Sequence, residues 1–262
     1  QTHFGLKYDI TANISSYRNK ITALPTTVAA NGTFGGNGVK SVIGHPMGAQ
    51  VGYVADGIFK SQEEIDNHAT QEGAGLGRIR WKDLNGDNKI TEADQDWIYN
   101  PVPDFTYGFN IYLEYKNFDL TAFFQGIQGV DIISDLKKET DIWAGLNIGF
   151  LNKGKRLLDA WSTTNPNSNI PALSLSDNNN EKRVSSYWVE NGSYLKLRTI
   201  QVGYNFPKAI ASKLAMQRLR MYLSAQNLFT VKSSSFTGVD PENPNYGYPI
   251  PLNITFGLNV TF

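Results

Sequence analysis

Apolar and polar residues alternate one by one through several long stretches of this chain. Phe4, Leu6, Tyr8, Ile10, Ala12 and Ile14 fall on one face of an extended strand, with Gly5, Lys7, Asp9, Thr11, Asn13 and Ser15 on the other. Phe105, Tyr107, Phe109, Ile111, Leu113 and Tyr115 repeat the pattern, and after a Lys116-Asn117 turn so do Phe118, Leu120, Ala122 and Phe124. Ile200, Val202, Tyr204 and Phe206 form one further stripe, and Leu219, Met221, Leu223 and Ala225 another. Leu252, Ile254, Phe256, Leu258, Val260 and Phe262 end the series, and a weaker seventh strand is expected near Gln50–Phe59. A period of two is the signature of strands with unlike faces, so the fold class is all-β and antiparallel.

Two architectures share that pattern: a two-layer sandwich and a transmembrane barrel. Sandwich strands average about 5–6 residues, whereas a tilted strand needs about 9–11 to cross a bilayer. The stretches here have the longer span. Their polar faces carry Asn, Thr, Gln, Ser and Gly, which suits a wet lumen. Long connections, at about 60–104, 129–193 and 230–250, alternate with short ones at Lys116-Asn117 and Pro207–Gln217. Outer-membrane barrels place long loops outside the cell and short turns in the periplasm. The three long segments are therefore expected to be extracellular loops, and residues 21–41 fall awkwardly on the inner side. Seven or eight strands form only a portion of a larger barrel, because unpaired edges are not tolerated in lipid. The remaining strands are expected from a missing N-terminal portion or from another chain.

Composition narrows the partners. Lys plus Arg and Asp plus Glu both number 24, so the formal charge is zero, which argues against a nucleic-acid binder because that needs an excess of cations. The chain has no Cys, which excludes disulfides and thiol catalysis within it. No apolar run approaches the ~18 residues of a membrane-spanning helix, and no signal peptide is visible at Gln1.

The sharpest chemical motif is Asp83-Leu-Asn85-Gly-Asp87-Asn88-Lys89-Ile90-Thr-Glu-Ala-Asp94. Oxygen ligands at positions one, three, five and twelve, with a backbone carbonyl at seven, match the twelve-residue calcium loop. Asp83, Asn85, Asp87 and Asp94 would supply side chains and Lys89 its carbonyl. The pattern departs from the calcium loop at position six, where Asn88 replaces Gly, and at twelve, where Asp94 replaces Glu. Elsewhere the chemistry is sparse. His3, His45 and His68 lack zinc spacing, and Gly73, Gly75 and Gly77 precede no helix start. Glu63-Glu64 sits on a solvated helical patch, and no catalytic set assembles. Trp81, Trp97, Trp143, Trp161, Trp188, Tyr246 and Tyr248 place aromatic rings in the loops, where stacking on loop, headgroup or cargo are all open.

Short pieces of this chain resemble the SusC-like outer-membrane proteins, in that family's order. They run from Gly44-His-Pro-Met-Gly48 and Gly52-Tyr53 through Asp56-Gly57-Ile58-Phe59 to Gly73-Ala-Gly75-Leu-Gly77-Arg-Ile-Arg-Trp81 and the Asp83 loop. Pro103-Asp104-Phe105, Phe118-Asp119-Leu120, Asn191–Arg198, Gln226-Asn227-Leu228-Phe229 and Asp240-Pro241-Glu242 complete the series. The resemblance implies a TonB-dependent barrel of the outer membrane that imports oligosaccharides or peptides and is not an enzyme. It also implies a SusD-like surface lipoprotein as lid. A plug and a link to the TonB complex would lie in the N-terminal region that precedes these motifs. The terminal Phe262 resembles the signal read by the barrel-assembly machinery. Two other classes stay open on the residues alone: a secreted, calcium-stabilised sandwich that binds carbohydrate, and a small barrel enzyme of the envelope.

Overall fold

The computed structural model describes residues 5–25, 41–141, 153–174, 177–244 and 248–262. In chain order its elements are β1 (Lys7–Ser15), β2 (Gln50–Tyr53), β3 (Ala55–Ile58), α1 (Gln62–Asp66), β4 (Ile79–Trp81), β5 (Gln95–Tyr99), β6 (Phe105–Tyr115) and β7 (Phe118–Gln128). There follow β8 (Asp131–Ile133), α2 (Asp135–Asp141), β9 (Val189–Asn191), β10 (Tyr194–Asn205), α3 (Lys208–Lys213), β11 (Arg218–Lys232) and β12 (Asn253–Thr261).

Six of these strands form one antiparallel sheet in the order β1-β6-β7-β10-β11-β12. Its register carries the alternation of each strand into rows that cross the whole sheet. Tyr8, Leu113, Leu120, Val202, Leu223 and Phe256 lie side by side, and so do Ile10, Ile111, Ala122, Ile200, Ala225 and Ile254. On the opposite face Asp9, Tyr112, Thr121, Gln201, Ser224 and Thr255 form the matching polar row. The apolar rows have no second layer packed on them among the described residues. Ile10 is 63% exposed, Leu223 55% and Phe256 62%. A sandwich closed within the described residues would cover this face, and none of them forms such a layer.

β10 slips its register once. Leu197 and Thr199 pair with the adjacent residues Phe124 and Phe123 of β7, which makes Arg198 an inserted residue. Across β11 the same two positions pair with Phe229 and Gln226, leaving Asn227 and Leu228 between, with Asn227 at φ 56°. An inserted residue reverses the phase of alternation and bends the strand. Leu195 and Leu197 therefore share a face with Ile200 and Val202 instead of opposing it.

Every long connection leaves the sheet at one end: 16–104, 129–193 and 233–252. The Lys116-Asn117 turn and the 206–217 connection close the other end. The weak seventh strand is the point of difference. Residues 50–59 do not join the sheet; they split into β2, which pairs with β5, and β3, which pairs with β4. The run breaks at Val54, Gly57 at φ 91° falls within the irregular β3–β4 pairing between Ala55 and Ile58, and Gly52 lies against the Val184 carbonyl where no side chain would fit. With that segment removed from the wall, the awkward 21–41 stretch belongs to a single long connection. Residues 26–40 of that stretch lie outside the described residues; at its start the Ile21 N–H donates to the His45 carbonyl at 2.9 Å, and the Ile21 carbonyl accepts from Gly44 N at 2.8 Å.

The loop layer has its own small core of Ile58, Phe59, Ile79 and Trp81, all buried. Three buried side chains complete the backbone bonding of the short β4. Gln71 accepts from Trp81 N at 2.9 Å and donates to the Ile79 carbonyl at 2.8 Å; Asn179 donates to that same carbonyl, and Glu181 accepts from Ile79 N at 3.0 Å. Buried backbone groups need such partners, so side chains stand in for a missing neighbour strand. Burial raises the Glu181 carboxyl above its ordinary range, opposed by Arg78, which pairs with it at 3.0 Å.

Candidate functional site

The face opposite the exposed apolar rows holds the charged and hydrogen-bonding groups of the sheet. Near the short-turn end, Asp119 of β7 accepts from Arg220 Nε at 3.0 Å and from Asn205 Nδ2 at 3.0 Å, and its second oxygen takes Arg220 Nη2 at 2.5 Å. Lys7 and Glu114 pair at 2.7 Å on the neighbouring strands. Alternation alone places these groups together, since each lies on the polar phase of its strand.

At the long-loop end the inserted Arg198 contributes to a denser constellation. Lys196, only 1% exposed, donates to Asp240 at 2.8 Å and to Glu242 at 2.6 Å. Tyr194 Oη donates to Glu242 at 2.7 Å; Arg198 pairs with Glu242 and reaches Gln125 Oε1 at 2.8 Å. Two cations on β10 thus hold two carboxylates of the 233–252 connection against the polar face. Burial raises the Glu242 carboxyl, but the bonds from Lys196, Tyr194 and Arg198 outweigh it and hold the group below its ordinary value. The pieces Asn191–Arg198 and Asp240-Pro241-Glu242 were legible as family-like motifs, but their mutual pairing was not. The apolar phase slip between Leu197 and Ile200 was the available signal for the bulge.

The calcium-type loop is present as a wound turn. Asp83 accepts from Gly86 N at 2.7 Å and Asn88 N at 2.8 Å, Asn85 from Asp87 N at 2.9 Å, and Asp87 from Lys89 N at 2.8 Å. Asn88 takes φ 62°, the left-handed conformation that position six requires. Asp94 is fully buried; one oxygen accepts from Leu84 N and Asn85 N, the other from Thr91 N and Thr91 Oγ1. Burial raises its carboxyl, and these donors outweigh that and lower it. Asp94 therefore spends its lone pairs on closing the loop. Among the described residues, no group of three or more acidic or histidine side chains gathers at metal-binding spacing. Asp83, Asn85 and Asp87, with the Lys89 carbonyl, fit a hard cation by donor type. Asp94 does not fit in this arrangement.

The remaining candidates resolve into structural roles. Trp81 and Trp188 are buried, and Trp161 packs on the Trp81 core. Trp97 stacks on His45 at 3.9 Å, and His68 meets Phe59 edge-on at 5.1 Å. Glu64 accepts from Lys60 N at 2.8 Å at the start of α1, where Ser61 accepts from Glu64 N. That carboxylate caps a helix. Tyr248 is exposed, while His3, Trp143 and Tyr246 lie outside the described residues.

A single antiparallel layer, with one exposed apolar face, one polar face and all long connections at one end, defines a segment of transmembrane β-barrel wall. Over most of its length the chain is homologous to the TonB-dependent receptors, SusC among them. TonB-dependent receptor P3 of Formosa agariphila is 35% identical over 236 residues, 84% of this chain and 22% of that protein. TonB-dependent receptor P26 of the same organism is 31% identical across 96% of this chain and 27% of its own. SusC of Bacteroides thetaiotaomicron is 27% identical across 97% of this chain and 24% of its own. The chain thus spans about a quarter of the length of the curated relatives it matches. No family model matches it. Among solved structures, the RagAB peptide transporter superimposes with a TM-score of 0.76 at 23% identity, over 100% of this chain and 28% of that one. The RagAB peptide importer in its open-open state gives 0.77 at 24%. At that identity the likeness establishes the fold.

Proposed function

We propose that this chain is a wall-and-loop segment of an outer-membrane, TonB-dependent importer of oligosaccharides or peptides, and does no chemistry of its own. The observation that carries this is the pair of unlike faces extended across six strands, joined to homology with TonB-dependent receptors over most of the chain. Apolar rows meet lipid and polar rows line the passage, which lowers the cost of moving a polar solute through ~30 Å of hydrocarbon. The free edges of β1 and β12 pair with further strands that close the barrel. The three long connections are the extracellular loops, and they meet a SusD-like lipoprotein lid. Energy comes from the TonB complex through a plug outside this chain. Uptake of labelled oligosaccharide and peptide mixtures by cells carrying the whole receptor tests this. Uptake should vanish on deletion of the receptor gene and on collapse of the proton gradient. Uptake indifferent to both treatments would overturn the importer.

A second proposal concerns the loop. Asp83, Asn85, Asp87 and the Lys89 carbonyl take calcium, while Asp94 holds the loop closed around them. What supports it is the winding of the loop's own amides onto those side chains. Calorimetric titration of calcium into the receptor and into Asp83→Ala should give heat only in the parent. Equal heats end the proposal.

A further inference from the structure

The short-turn end of the wall has a composition that a rim facing only water would not need. The 206–217 connection, Phe-Pro-Lys-Ala-Ile-Ala-Ser-Lys-Leu-Ala-Met-Gln, carries two lysines and no acid. Its apolar Ile210 and Leu214 are exposed. The neighbouring Lys116-Asn117 turn is flanked by Tyr115 and Phe118, both exposed as well. The two turns meet, since Asn205 N donates to the Asn117 carbonyl at 2.8 Å. We propose that this rim docks the anionic headgroup of a phospholipid in the inner leaflet of the outer membrane, with Lys116 and Lys208 as its cations. The inference rests on the importer proposal, which sets the apolar rows in lipid.

The apolar face ends here in rings. Tyr115, Phe118 and Tyr204 pair across β6, β7 and β10 on the apolar phase of their strands, and Phe206 continues that phase. The Phe118 and Tyr204 rings lie 4.8 Å apart, and those of Tyr204 and Phe206 5.1 Å. Such rings suit the level where hydrocarbon gives way to headgroups. Lys116 Nζ stands 5.2 Å from the centre of the Tyr115 ring, which holds its charge at that level. Lys208 follows Phe206 by two residues and is exposed. The acids that flank the first turn, Glu114 and Asp119, lie on the polar face and are paired there with Lys7 and Arg220. The outward side of the rim is therefore cationic. Its strands β6, β7 and β10 are interior to the sheet, so further strands beyond β1 and β12 extend the wall sideways and leave this outward face to the membrane. A plug would fill the opposite, polar side. Against an anionic headgroup each lysine gains about fivefold in affinity, whereas a zwitterionic headgroup offers no net charge to select.

The whole receptor in detergent is titrated with dioleoylphosphatidylglycerol and, separately, with dioleoylphosphatidylcholine, and bound lipid is counted by native mass spectrometry. A preference for phosphatidylglycerol is expected, reduced about tenfold or more in the double variant Lys116→Gln, Lys208→Gln. The preference should also fade near about 1 M salt, where charges are screened within about 3 Å. Both lysines are exposed or at a turn, so the melting temperature of this variant should match the parent's. The control Lys82→Gln, Lys182→Gln makes the same change of net charge on the long-loop side and should keep the preference. A rim variant that retains it, or a control that loses it equally, overturns the site. A parent that binds both lipids equally overturns the site and leaves the importer standing. A protein that copurifies with the parent and is lost from the rim variant, with lipid binding unchanged, overturns lipid as the occupant. A parent that takes up neither lipid and stays dispersed without detergent overturns this inference and the importer together.

Discussion

Asn227 shows how a single backbone conformation shapes the wall. It occupies the left-handed region, φ 56°, opposite the inserted Arg198, and its side chain donates to the Pro251 carbonyl at 3.2 Å. A Cβ-bearing residue without that side chain pays about 1–2 kcal/mol to stay there. Asn227→Ala should lower the melting temperature of the purified receptor, while Asn227→Gly, free of the conformational strain, should lower it less. Equal losses in both would show that the side-chain bond, and not the conformation, is what matters. Gly126 is constrained differently. It sits under the Tyr107 ring on the apolar face, and a Cβ there would overlap that ring. The glycine and the aromatic form one cross-strand unit, of the kind that rescues glycines in sheets. Gly126→Val should cost about 1–3 kcal/mol through overpacking, read as reduced yield of heat-resistant barrel in the membrane fraction.

β10 is the element that joins wall to loop, and its charges can be tested as a unit. Lys196→Met leaves Asp240 without its ion-pair partner, and Glu242 only Arg198. Breaking a buried pair by removing one partner costs about 3–5 kcal/mol. The 233–252 connection should then exchange its amide hydrogens readily while the β10–β11 ladder stays protected; an unchanged loop would show that the clamp does not hold it. The same clamp responds to acid. Glu242 has a lowered folded value, so the stability it contributes is present above the ordinary carboxylate range near 4.5. That contribution falls away as pH drops through the lowered value. Loop protection is therefore expected to be constant at neutral pH and to decline only below about 4.5. Elements differ in how plainly the chain announced them. β6 was readable to the residue, and β7 from Phe118 to Gln125 of its full run to Gln128, because their alternation is unbroken there and Lys116-Asn117 forces the turn. β10 was readable only from Thr199 onward because the bulge at Arg198 reverses the phase. Residues 50–59 imitated a wall strand, since a short run with two glycines cannot distinguish a crossing from two loop strands. The clamp was hidden for another reason: its partners stand 44 and 46 residues apart, beyond any local pattern.

For the molecule as a whole, the alternation makes a stronger claim than any motif, because it assigns each residue of the sheet to lipid or water. The chain has no Cys, so single cysteines can report that assignment one position at a time. Ile10 and Leu223 lie in apolar rows, and Thr121 and Ser224 in the matching polar row. In whole cells, a charged, water-soluble maleimide should label Thr121→Cys and Ser224→Cys and leave Ile10→Cys and Leu223→Cys untouched. A lipid-soluble maleimide should do the reverse. Leu223 and Ser224 are the decisive pair because they are consecutive, at the same depth and on the same strand, so only the face each one points from can separate them. A sheet that buried its apolar rows against protein would protect Leu223→Cys from both reagents, and a sheet bathed in water on both sides would expose both residues to the charged one. Each pattern is incompatible with a wall between lipid and lumen, which is the premise of the transport proposal.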